Sequence, residues 1–203
     1  MNMLRVYCFF IISFLVGSIP FGYIICRVFK KIDIRKYGSG NIGATNVYRV
    51  CGGFLGITVL ILDILKGFIP VFISKNILHF PSPILIITGL LAISGHIFSI
   101  FLKGKGGKGV ATSFGVIIGL FPLSALSSFI LWLIIFLISH VVSVASITAG
   151  FFLPIFIYLF YKDISLTIFG IIIFFFVIYT HRENIKRLKK GKENRIILPW
   201  EKK

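Results

Sequence analysis

Val110–Ser139 reads VATSFGVIIGLFPLSALSSFILWLIIFLIS, and the number of times this block crosses a bilayer decides the topology of the whole chain. At about 30 residues it is long for one helical crossing, which takes about 20 apolar residues, and short for two. Pro122 stands in its middle. Proline has no N–H to donate and its ring collides with the preceding turn, so a helix breaks there. The flanking blocks supply the rest of the count. Val6–Ile25, Gly52–Ile73, Ile84–Leu102, Ile147–Phe160 and Ile164–Thr180 each read as an apolar span. Val6–Ile25 is long for the core of a signal peptide, and no alanine precedes Ala44 to build a cleavage site, so the sequence predicts that it stays attached.

Charge settles the parity. Few bases precede the first block, whereas six lie in Arg27–Arg49, three in Lys103–Lys108 and nine in Arg182–Lys203. Basic segments stay on the cytoplasmic side. Two crossings by Val110–Ser139 put all three groups inside, giving seven spans with the amino terminus outside and the carboxy terminus cytoplasmic. Five spans is the alternative, with the Val110–Ser139 or Ser143–Phe160 region not fully crossing. The chain is expected to be all-α, a polytopic membrane helix bundle forming a single domain over residues 1–203.

Composition agrees. Of 203 residues, 57% are hydrophobic, 23 are Phe and only 14% are charged, and the mean hydropathy is +1.00. One soluble core of this size could not hide so much apolar surface, since soluble chains carry about a quarter charged residues. A net charge of +16 would fit nucleic-acid binding in a soluble protein. Here the bases gather beside apolar spans, where they orient the chain and attract anionic lipid, so no nucleic-acid partner is expected. Cys8, Cys26 and Cys51 have no metal-ligand spacing, and His79, His96, His140 and His181 are scattered without a carboxylate cluster. No metal and no cofactor are expected.

Four polar clusters fall at the cytoplasmic edge of this topology. Lys103–Gly109, KGKGGKG, packs four glycines and three lysines into one turn. Such a loop can bring backbone N–H and ammonium groups around a phosphate. It is not a nucleotide P-loop, because Lys108 is followed by Gly109 rather than Ser or Thr and no strand precedes it. Lys105, Gly106, Gly107, Lys108 and Gly109 are its candidate substrate contacts. In Gly38–Arg49, GSGNIGATNVYR, the glycines allow close backbone approach while Ser39, Asn41, Thr45 and Asn46 supply short polar arms. Gly38, Gly40, Asn41, Thr45 and Asn46 are candidate binding residues, and the guanidinium of Arg49 suits two phosphate oxygens at once. Ser143 and Ser146 lie in the turn before a span, where hydroxyls most often cap the helix; substrate contact is compatible with that. His181 and Asn184 are three apart and share a helix face at the end of the last span. Asp63 and Lys66, also three apart, lie within an apolar block and read as an ion pair that supports the site.

Taken in order, GSIPFGY at Gly17–Tyr23, GSGNIGATNVYR, DILKG at Asp63–Gly67, GH at Gly95–His96, KGGKGVAT at Lys105–Thr112, SVASITA at Ser143–Ala149 and HRENI at His181–Ile185 resemble the bacterial acyl-phosphate:glycerol-3-phosphate acyltransferases, the PlsY type. The resemblance covers nearly the whole chain. It implies a seven-span enzyme of the inner membrane, active at the cytoplasmic face. Its reaction is acyl transfer from acyl phosphate to the 1-hydroxyl of glycerol 3-phosphate, releasing lysophosphatidic acid and phosphate. By the resemblance, Ser39, Arg49, His181 and Asn184 are catalytic, Lys105 and Lys108 belong to the glycerol-phosphate-binding segment, and Glu183 supports structure. Membrane lipid and the enzyme that makes acyl phosphate are the implied partners. The chain departs from the pattern at Ser99, where the family usually has Pro, and at Gly104, where it usually has an aromatic.

An acyltransferase dyad of the His-x4-Asp kind is absent: the required positions hold Ile84, Phe101, Ala145 and Lys186. The donor's own phosphate is therefore the expected proton acceptor, with His181 as the alternative, and direct transfer is expected over an acyl-Ser39 intermediate. A transporter for an organic phosphate is the rival class. Its polar groups would gather near mid-membrane, and this chain shows no repeated halves. A purely structural anchor would leave the glycine loops unexplained.

Overall fold

A computed structural model describes residues 3–196; the end of the basic tail, residues 197–203, lies outside them. The described chain is helical and falls into two compact units, Met1–Leu120 and Phe121–Lys203.

In the first unit the helices are α1 (Met3–Ser18), α2 (Phe21–Phe29), α3 (Ala44–Cys51), α4 (Gly53–Phe72), α5 (Ser82–Ile97) and α6 (Val110–Leu120). Helix α1 packs along α5, and α4 packs along both α6 and α3. Lipid-facing helices gain little from burying apolar side chains against each other, so close backbone approach does the work. Gly67 of α4 lies against the Thr112 carbonyl and Gly115 of α6 lies against the Ile64 carbonyl; a Cβ at either would strike backbone.

The apolar blocks differ from the expected spans at their ends. Val6–Ile25 is not one helix: it breaks at Ile19 and Pro20, and α1 and α2 meet at 43°. Proline is the cause, since residue 20 cannot donate to the turn behind it. Ile84–Leu102 likewise stops as an α-helix at Ile97 and ends in one tighter turn, Ile100–Leu102.

The second unit contains α7 (Pro122–Ser139), α8 (Val142–Tyr161), α9 (Ile164–Thr180) and α10 (Arg182–Lys189). The break expected near Pro122 falls at Phe121, and Pro122 takes the first helical position, where its missing N–H costs nothing. Between α7 and α8 only His140, in the left-handed region at φ 58°, and Val141 are non-helical. Consequently α8 starts earlier than the expected Ile147, and Ser143 and Ser146 lie inside it. Neither caps it: the residue at the amino-terminal cap is Val141, with no side-chain bond. Asp163 does cap α9, accepting from Ser165 N at 2.7 Å and Leu166 N at 3.1 Å.

Gly53–Ile77, Ser82–Leu102, Pro122–Ser139 and Val142–Tyr161 are each long and apolar enough to cross a membrane. The bent pairs α1–α2 and α9–α10 raise that to as many as six. Helix α6 has 11 residues, which rise only about 16 Å. Leu126, Leu133, Ile138 and other apolar side chains of α7 are exposed, as a lipid-facing surface requires.

Candidate active site

The loop 37–43 is built around one buried amide. Asn46 is 2% exposed. Its Oδ1 accepts from Ser39 N at 2.8 Å, and its Nδ2 donates to Asn41 O at 2.8 Å and Tyr37 O at 3.1 Å. Asn41 Oδ1 accepts from Gly43 N at 2.8 Å. These side-chain oxygens, and the Asn46 amide, thus hold the loop itself together. Gly38 takes φ +58°, and a Cβ there would collide with the Asn46 amide. The groups left at the loop surface are half-buried Ser39 and Thr45, with exposed Arg49 in the last turn of α3. Upstream, Asp33 accepts from Arg35 N at 3.1 Å and takes a forked guanidinium at 2.9 and 2.7 Å. Those hydrogen bonds hold the Asp33 carboxyl down at about 2.

The glycine–lysine loop is docked on the end of α5. Lys103 N donates to Ile100 O, Gly104 N to Ser99 O, Lys105 N to Leu102 O, Gly106 N to Ile97 O and Gly107 N to His96 O, at 2.9 to 3.3 Å. Gly106 and Gly107 therefore satisfy carbonyls at the carboxy terminus of α5, which otherwise lack donors, and the other three amides close the turn that follows it. The backbone cradle for phosphate expected across this loop is not offered by residues 103–107, whose amides face inward. Gly107 is required by its neighbour, since a Cβ would collide with the His96 ring. The cations the loop presents are the exposed Lys103 and Lys105 and the half-buried Lys108, the last just ahead of the amino end of α6. Ser99 is 1% exposed and donates to Ser18 O at 2.6 Å. A proline there could make no such bond.

One apolar cluster supports both glycine-rich segments. Leu102, directly before the glycine–lysine loop, is buried with Ile42 from the first loop, Val47 from α3, Ile25 and Cys26 from α2, and Leu55 and Val59 from α4. Beneath it lies the expected ion pair. Lys66 Nζ is 2.8 Å from Asp63 Oδ1 and donates to Ile19 O at 2.7 Å, with both charged side chains nearly fully buried. His96 Nδ1 lies 3.8 Å from Asp63 Oδ1.

The second unit gathers the remaining candidates. His181 is 2% exposed, and its Nδ1 lies 2.8 Å from Val177 O. A carbonyl only accepts, so Nδ1 carries the proton and the basic lone pair of the neutral ring is on Nε2. Asn184 Nδ2 donates to Glu193 Oε1 at 2.5 Å, Ser143 Oγ donates to the same oxygen at 3.0 Å, and Arg187 Nε donates to Glu193 Oε2 at 2.7 Å. Burial pushes the Glu193 carboxyl up, but the bonds from Asn184, Arg187 and Ser143 outweigh it and leave it below the usual glutamate range. Ser146 Oγ accepts from Trp132 Nε1 at 3.1 Å. Glu183 pairs with Lys186 at 3.0 Å on an exposed face. Glu193 is the residue that sequence reasoning missed. Its one signal is that it is the lone acid in the basic stretch 186–196.

Comparison with known proteins joins these observations. The family model described as glycerol-3-phosphate acyltransferase matches residues 7–191. The glycerol-3-phosphate acyltransferase of Fusobacterium nucleatum is 47% identical over 191 residues, covering 93% of this chain and 97% of that one. The Aquifex aeolicus glycerol-3-phosphate acyltransferase is 45% identical, over 91% of this chain and 96% of its own. Crystal structures of PlsY (YgiH), an integral membrane glycerol 3-phosphate acyltransferase, superpose at TM-score 0.90 in the glycerol 3-phosphate form and 0.88 in the lysophosphatidic acid form. Their sequences are 43% and 42% identical to this one, and each match covers 95% of this chain and 96% of the other. With apolar helices fit to cross a bilayer and a match along nearly its full length, the chain belongs to the PlsY family of integral membrane glycerol-3-phosphate acyltransferases.

Proposed function

We propose that this protein transfers a fatty acyl group from acyl phosphate to the 1-hydroxyl of glycerol 3-phosphate, releasing lysophosphatidic acid and inorganic phosphate. The observation that carries this reading is the shared apolar support of the two glycine-rich segments, Leu102 being buried with Ile42 and Val47. It supports the reading by giving one apolar base to the two segments that carry Ser39, Arg49, Lys105 and Lys108. Two phosphorylated reactants repel each other, and cations fixed beforehand offset that repulsion without reorganising during the reaction.

Acyl phosphate is a mixed anhydride and needs no further activation. The acceptor oxygen attacks the acyl carbonyl, a new ester C–O bond forms, and the C–O bond to phosphate breaks. The hydroxyl proton passes to the departing phosphate. Orientation then supplies much of the rate. Arg49 and the loop lysines hold phosphate oxygens, and Ser39 holds a reactant by its hydroxyl. Neither a cofactor nor an acyl-enzyme is needed.

The reading includes seven spans, with α6 as a short one, and an active face toward the cytoplasm of a bacterial inner membrane. The test uses purified protein, a long-chain acyl phosphate and glycerol 3-phosphate, with lysophosphatidic acid as the expected product. Uptake of glycerol 3-phosphate into vesicles without that product would replace the reading with a transporter. Single cysteines at Ser39 and Lys108 should both label from the cytoplasmic side; labelling from opposite sides would sink the topology.

A further inference from the structure

Ser143 and Asn184 each carry a donor and an acceptor, so either could present hydrogen or oxygen to a substrate. Glu193 removes that freedom. An ionised carboxylate only accepts, and Glu193 Oε1 takes both the Ser143 hydroxyl at 3.0 Å and the Asn184 amide at 2.5 Å. The amide hydrogens of Asn184 are thereby turned to Glu193 and its Oδ1 is turned away. That oxygen is buried and has no hydrogen-bond partner among the described residues. Ser143 Oγ, having spent its hydrogen, keeps only lone pairs.

The arrangement is anchored on both sides. Arg187 Nε holds Glu193 Oε2 at 2.7 Å, Lys192 N donates to Arg187 O, and Ile196 N donates to His140 O at the turn between α7 and α8. The segment carrying Glu193 is thus strapped from α10 to that turn. The family match ends at residue 191, so the strap belongs to the tail beyond it.

An unpartnered buried acceptor calls for a donor. Of the two reactants, acyl phosphate carries anionic oxygens that accept, whereas glycerol 3-phosphate brings hydroxyl hydrogens. We propose that Glu193 is a positioning residue that fixes Asn184 Oδ1 and Ser143 Oγ as hydrogen-bond acceptors for the hydroxyls of the polyol phosphate. This rests on the acyltransferase reading above and adds the basis on which the acceptor is chosen.

The test is steady-state kinetics on the full-length purified protein with palmitoyl phosphate and glycerol 3-phosphate, comparing wild type, Glu193→Ala, Glu193→Gln and Asn184→Ala. Loss of one well-oriented neutral hydrogen bond is worth roughly tenfold in affinity. Glu193→Ala should raise KM for glycerol 3-phosphate about tenfold and leave KM for palmitoyl phosphate unchanged. Glu193→Gln, which keeps one accepting oxygen and the side-chain shape, should fall between wild type and Glu193→Ala even if the alanine variant folds poorly. Asn184→Ala should raise the same KM at least as much. Unchanged kinetics in both Glu193 variants beside an impaired Asn184→Ala would overturn the role of Glu193 alone. So would an equal rise in both KM values, the sign of a merely structural role, or a lower KM for glycerol 3-phosphate, the sign of a competing anion. No lysophosphatidic acid from wild type would take down the underlying reading as well, whereas full activity in Asn184→Ala would overturn the inference alone.

Discussion

Asn46 and Asp63 carry different kinds of burial, and their substitutions should fail differently. Asn46→Ala would leave Ser39 N and the Asn41 carbonyl without the partner they now have, while Tyr37 O would keep only Gly40 N. An unsatisfied buried polar group costs about 1–3 kcal/mol. The variant should therefore melt earlier in detergent and lose activity through a disordered 37–43 loop rather than through a missing ligand. Asp63→Asn removes the charge beside buried Lys66, and stranding a buried charge costs about 3–5 kcal/mol. The double variant Asp63→Asn with Lys66→Met should be more stable than Asp63→Asn alone, measured by thermal unfolding in detergent. If the double variant is the worse, the pair is not the source of the cost. The spacing of Asp63 and Lys66 was legible in sequence, but the bond from Lys66 to Ile19 O was not. It joins residues 47 apart, and no local pattern encodes that.

At the scale of elements, proline marked some helix breaks and was run through elsewhere. Pro122 and Pro20 both mark real interruptions, while Pro154 lies inside α8 and leaves the helix continuous. Neighbouring helices and local adjustment satisfy the carbonyl that such a proline abandons. The glycines of α4 and α6 admit a sharper test. Gly115→Ala would drive a methyl group into the Ile64 backbone, and overpacking of this kind costs about 1–3 kcal/mol. Gly104→Ala meets nothing within 4 Å and should cost only the strain of its left-handed φ. A thermal shift assay should rank the first well below the second. Equal melting temperatures would mean that α4 and α6 do not rely on this close approach.

For the whole molecule, the sequence bears on charge at two levels: blocks that orient the chain, and single cations that act. Arg49→Ala should nearly abolish turnover, whereas Lys190→Ala, an exposed residue just past α10, should leave it near wild type in the lysophosphatidic acid assay. Equal losses would mean that bulk positive charge matters and a defined site does not. Membrane class and family were legible from residues alone. Apolar runs of spanning length have few soluble alternatives, and polar segments with fixed glycines tolerate little drift in spacing. Only the tertiary structure decided which polar groups serve the loops. It gave the amides of Gly106 and Gly107 to the end of α5, those of 103–105 to the turn after it, and the Asn46 side chain to its own loop. It also set Glu193 against Ser143, 50 residues away. A sequence lists donors and acceptors, but which donor meets which acceptor depends on distances that only packing creates.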